Sequence, residues 1–136
     1  MATRYLTKEH IVRIHQELIE RYGGSHGLLD EGLLESAIGR YQSGYYADHI
    51  EEASALMESL AQNHPFYDGN KRIAVNAAVS SLILNGYFIQ ASETELFDYV
   101  VLLFETNSFS FGKLEPWLRE HVSQSESTDV DISYEP

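Results

Sequence analysis

The stretch NKRIAVNAAVSSLILNGYF, Asn70 to Phe88, constrains the fold more than any other part of the chain. After its polar opening it is small or apolar nearly all round, and a helix without a polar face has to be enclosed by other elements. We therefore expect an all-α helical bundle around a central buried helix at about 70–85, stopped by Asn85-Gly86. The chain has 136 residues, 43% of them hydrophobic, which is enough for one such core and one domain.

The surrounding helices are marked by their caps. Thr7 opens a helix whose Ile11, Ile14, Leu18, Ile19 and Tyr22 share a face, and Gly23-Gly24 closes it. Asp30 caps a shorter helix through Leu33, Leu34, Ala37 and Ile38. RYQSGYYADH reads as an aromatic loop in which at least one tyrosine packs, and it is the expected place of target contact. Ile50, Ala53, Leu56, Met57, Leu60 and Ala61 recur at helical spacing from His49 to Gln62, before Pro65. Ser92 and Glu95 form a capping box ahead of Leu96, Phe97, Val100, Val101 and Phe104. A last helix holds Leu114, Trp117 and Leu118, with Pro116 expected in its first turn. GYFIQ, 86–90, is the one strand candidate, either an edge of a hairpin or an extended connection. We assign 1–122 to the domain and 123–136 to a flexible acidic tail.

Charge and composition narrow the function. Nine Lys and Arg stand against 21 Asp and Glu, a formal charge of -12, so a general electrostatic footprint for nucleic acid is absent. With no cysteine there is neither a disulfide nor a thiolate zinc site. No apolar run reaches bilayer length and the N-terminus has no apolar leader, so no membrane association is expected and a soluble, cytoplasmic protein is.

Against that acidity, NHPFYDGNKR places Lys71 and Arg72 side by side where a helix begins. Gly69 frees the backbone just before the first turn, whose N–H groups and dipole form an anion site that the two cations reinforce. A phosphate fits such a site. Asp68 is compatible with phosphate once a divalent cation such as Mg²⁺ lies between them. His64, beyond a Pro65-Phe66 kink, is placed to accept a proton from a hydroxyl, and Phe66 to plug the loop. Taken singly, each residue has an ordinary explanation: a helix-end histidine, an Asp-Gly turn, an Asn cap, a solvated basic face. Their combination is that of phosphoryl-type transfer. Among the other histidines no pair has metal-ligand spacing, and the sequence does not say whether His15 approaches the site.

HPFYDGNKR resembles the loop of the Fic/Doc superfamily, H-x-F-x-D/E-A/G-N-G/K-R, and the lysine before Arg72 resembles its Doc branch. YLTKEHIVRIHQELIERYGG, LLDEGLLESAIGR and LILNGY are similar to further landmarks, so the likeness covers roughly residues 4–121. The resemblance implies a Fic/Doc-like helical fold and a toxin that transfers the γ-phosphate of ATP to a threonine of elongation factor Tu, held in check by a Phd-like antitoxin. It implies catalytic His64, Asp68, Lys71 and Arg72, with Asp68 holding Mg²⁺. Gly69, Asn70, Lys71 and Arg72 would bind the nucleotide phosphates, and Pro65 and Phe66 would be structural. AMP-transferring Fic proteins carry glycine at the place of Lys71 and a second arginine at that of Val75. An AMP or other NMP transferase and an inactive binding module are the alternatives. No self-inhibitory S/T-x-x-x-E-G/N motif is found; SALMES, 54–59, ends in serine.

Overall fold

The computed structural model describes residues 3–124. They form α1 (Lys8–Tyr22), α2 (Glu31–Tyr41), α3 (His49–Asn63), α4 (Asn70–Leu84), β1 (Tyr87–Ile89), α5 (Glu93–Glu105), α6 (Phe111–His121) and β2 (Val122–Gln124). The fold is all-α apart from the small sheet. Among the described residues no helix is long and apolar enough to cross a membrane.

The expected caps form. The Thr7 hydroxyl accepts from the His10 N–H, and the Asp30 carboxylate from that of Leu33. Ser92 and Glu95 make a reciprocal capping box at α5. Each satisfies donors that a helix start leaves free, for about 1 kcal/mol.

α4 is central as expected: it packs against α1, α3, α5 and β1. It is not alone there. α3 buries Ala53, Ala55, Leu56, Met57, Leu60 and Ala61 and shares with α4 the most extensive interface among the described residues. The core is thus a helix pair, with α2 and α6 on the α3 side and α1 and α5 on the α4 side. The chain start is fastened to it by Tyr5, whose hydroxyl donates to the buried Glu52 carboxylate at 2.7 Å.

Two expectations are corrected. GYFIQ contributes a strand but no hairpin: Tyr87, Phe88 and Ile89 pair antiparallel with Gln124, Ser123 and Val122, across two intervening helices. Its partner β2 includes Ser123 and Gln124, the first two residues of the segment assigned to the tail; 125–136 lie outside the described residues. Pro116 sits in the interior of α6, not its first turn. Tertiary contacts carry the helix past it: the Phe111 N–H donates to Glu58 of α3 at 2.8 Å, and Leu114 and Leu118 are fully buried. These outweigh the one hydrogen bond that a proline cannot make.

Tyr41 is the packed tyrosine of the aromatic loop and ends α2, while Tyr45 is 84% exposed.

Because Ala78 of α4 is wholly buried, enlarging it should overpack the core. Ala78→Leu is expected to lower the unfolding free energy by about 1–3 kcal/mol, read as a lower urea midpoint at unchanged slope.

Candidate active site

The loop between α3 and α4 lies on a cavity of about 380 Å³. His64, Asp68, Gly69, Asn70, Lys71 and Arg72 all line it, so every charged or nucleotide-binding residue proposed from the sequence meets in one place. Pro65 and Phe66 are buried beneath.

Each is positioned for a local reason. A residue before proline is kept out of the right-handed helical region. His64 takes the left-handed one (φ 54°, ψ 57°), which ends α3 and leaves its imidazole exposed on the cavity. That ring has no hydrogen-bond partner among the described residues. Gly69 is also left-handed (φ 74°), and a Cβ there would come within 3.1 Å of Ile19 Cδ1. Glycine is therefore favoured by the backbone, and a side chain there would also require Ile19 to shift.

Gly69 puts no side chain over the start of α4, so the N–H groups of Asn70, Lys71 and Arg72 carry no side-chain cap. Such uncapped donors at the positive end of a helix dipole suit an anion. The Asn70 side chain has other work. Its Nδ2 donates to the Phe66 carbonyl at 2.9 Å and its Oδ1 accepts from the Phe66 N–H at 3.0 Å, stapling the loop. Of the phosphate grip expected from Asn70, the backbone N–H is the part left free.

The two cations are aimed by aromatic rings. The Arg72 guanidinium carbon lies 3.9 Å from the Tyr22 ring centre and 4.4 Å from that of Phe97. Lys71 Nζ lies 4.6 Å from the centre of Phe104. Neither cation has a carboxylate partner among the described residues, so their charge is available to a ligand. Tyr22 and Phe97 were read from sequence as core-facing positions of their helices; nothing in their spacing marks them as a clamp on Arg72.

Asp68 is the one carboxylate on the cavity wall. Its Oδ1 accepts from the Gly69 N–H at 2.9 Å, and its Oδ2 from the Ser25 N–H at 3.2 Å. The GGSHGLL segment, read only as a loop, thus wraps the site. A Cβ on Gly24 would fall 2.7 Å from Asp68 Oδ2. Further along, Leu29 and Asp30 donate to the Pro65 carbonyl at 2.8 and 3.0 Å, and the Tyr67 N–H to that of Gly27 at 3.2 Å.

His15, which the sequence could not place, lies under the loop. It is buried, and its ring stacks on Phe66 with centres 3.8 Å apart and planes 12° from parallel. Its Nε2 is 2.7 Å from the Asp68 carbonyl oxygen. Burial pushes its pKa below the ordinary imidazole value, against the carbonyl bond, which favours the charged form.

Two outcomes follow. Asn70→Ala strands the buried N–H and C=O of Phe66 and should cost roughly 2–4 kcal/mol in a urea titration. The depressed His15 pKa means that the unfolded chain takes up a proton near pH ~6.5 while the native one does not. Its contribution to stability is complete above that pH and is lost as pH falls toward the native value. The midpoint of His15→Gln should therefore fall less steeply over that window than that of the wild type.

Comparison with known proteins identifies the family. Residues 5–82 match the model of the Fic/DOC family. "Protein kinase doc" of Escherichia phage P1 is 36% identical over 87 residues, 61% of this chain and 69% of that protein. "Toxin Doc" of Mycolicibacterium smegmatis is 36% identical over 94 residues, 65% of this chain and 70% of that protein. With more than half its length matched by the family model and both relatives covered over two thirds, the chain belongs to the Fic/DOC family, within its Doc branch.

Proposed function

We propose that this protein is a Doc-type toxin that transfers the γ-phosphoryl group of ATP to a Ser or Thr hydroxyl of a protein target. The observation that carries the reading is the unpartnered His64 imidazole on the same cavity wall as the uncapped start of α4, Lys71 and Arg72. A base, an anion nest and two cations without carboxylate partners are what transfer to a hydroxyl needs.

His64 takes the proton of the acceptor hydroxyl as its oxygen attacks the γ-phosphorus. The bond to the β,γ-bridging oxygen breaks and its electron pair leaves with ADP. The N–H groups of Asn70, Lys71 and Arg72, with the two cationic side chains, hold the phosphate oxygens while charge shifts among them. Asp68, the carboxylate on the cavity wall, would hold a Mg²⁺ ion that arrives with the nucleotide, since one carboxylate with substrate phosphates and waters is a usual magnesium shell. Held there, the ion would neutralise charge on the phosphate oxygens.

Phosphoryl rather than nucleotidyl transfer is favoured by two features of this chain. Lys71 occupies the place of a glycine, and Val75, where a second arginine would stand, is buried and apolar. By resemblance the target is elongation factor Tu, the setting is the cytoplasm, the consequence is arrested translation, and a Phd-like antitoxin neutralises the protein.

Purified protein incubated with elongation factor Tu and Mg-ATP should transfer label from the γ position and none from the α position; α-label alone would establish a nucleotidyl transferase instead. His64→Ala should slow transfer by about 100-fold or more and abolish growth inhibition on expression. Undiminished toxicity in a folded His64→Ala protein would point to a binding module.

A further inference from the structure

His15, Ile19 and Tyr22 lie at successive helical spacings and give α1 one stripe that follows the site. Tyr22 covers Arg72, Ile19 abuts Gly69, and His15 reaches the peptide between Asp68 and Gly69. We propose that His15 is a positioning residue: by holding the Asp68 carbonyl against α1, it turns the Gly69 N–H toward the Asp68 carboxylate and so sets how that carboxylate is held on the cavity.

The geometry is specific. A carbonyl oxygen only accepts, so the Nε2 at 2.7 Å carries the proton and donates it. The peptide is trans, and in a trans peptide C=O and N–H point in opposite directions. Drawing the Asp68 oxygen inward therefore sends the Gly69 N–H outward, where it meets Asp68 Oδ1 at 2.9 Å. Stacking on Phe66 fixes the ring plane, and Phe66 is itself held by Asn70. The carboxylate and the first amide before α4 thus take their orientation from a side chain that has no place on the cavity wall.

The catalytic part of this inference rests on the phosphoryl-transfer reading, so the test combines activity with a readout independent of it. His15→Phe keeps a ring for stacking on Phe66 and removes the donor; His15→Gln keeps a donor near the Nε2 position and removes the ring. In folded protein, His15→Phe should lower kcat about 10-fold or more with little change in KM for ATP, while His15→Gln stays within a few-fold of the wild type. The Gly69 amide signal in the ¹⁵N–¹H spectrum should move in His15→Phe and stay near its wild-type position in His15→Gln. Should the phenylalanine not be accommodated, His15→Met serves as the variant without a donor.

Unchanged kcat and an unchanged Gly69 amide in the donorless variant overturn the proposal, as does equal loss in both variants, which would mean that the ring matters only for packing. If the wild type transfers no label from ATP, the functional reading fails by itself, and the Gly69 signals still decide whether His15 orients the turn.

Discussion

The structure turns on the uncapped start of α4. Most helix beginnings in this chain are closed by a side chain, as Thr7, Asp30, Asp48 and Ser92 close α1, α2, α3 and α5. α4 instead begins at a left-handed glycine with nothing to offer its first N–H groups. Leaving those donors open on a cavity costs stability that a capping serine or aspartate would supply, about 1 kcal/mol. The chain makes up for it around the loop. The Asn70 staple, the contacts from residues 24–30 and the His15 bond all hold a turn that has no regular structure of its own.

Electrostatics give the opening its selectivity. The protein carries a formal charge of -12, and yet the cavity holds two adjacent cations and one carboxylate. Of the other cations, Lys8, Arg40 and Arg119 pair with glutamate or aspartate. At Lys71 and Arg72 aromatic rings take that role. A ring face steadies a cation by about 0.5–2 kcal/mol without cancelling its charge, so the field remains directed at whatever enters. An acidic protein repels polyanions generally, and a local pair of uncancelled cations lifts that repulsion at this cavity.

Much of this was legible along the chain because it depends on neighbours in sequence. Caps, the apolar face of α1, the all-round apolar character of α4 and the anion-binding potential of Gly69 to Arg72 follow from spacing within one or two turns. The misreadings involve partners far away. Local cost alone puts Pro116 in the first turn, whereas Glu58 and the buried Leu114 and Leu118 carry α6 across it. GYFIQ showed strand character but not its partner, since Val122–Gln124 is brought beside it only when α5 and α6 have packed. Asn70 looked like a cap or a phosphate ligand, and its amide proves to be occupied four residues upstream, at Phe66.

By itself the sequence determined the helical class, the central place of α4, the loop that lines the cavity and the family, because periodicity, capping and a contiguous motif are written in order along the chain. Only the tertiary structure decided that α3 shares the centre, that Tyr22 and Phe97 clamp Arg72, that Ser25 and Gly24 close over Asp68, and that His15 braces the turn from below. Those contacts join residues tens of positions apart, and their energies depend on burial and direction, which exist only once the helices have packed.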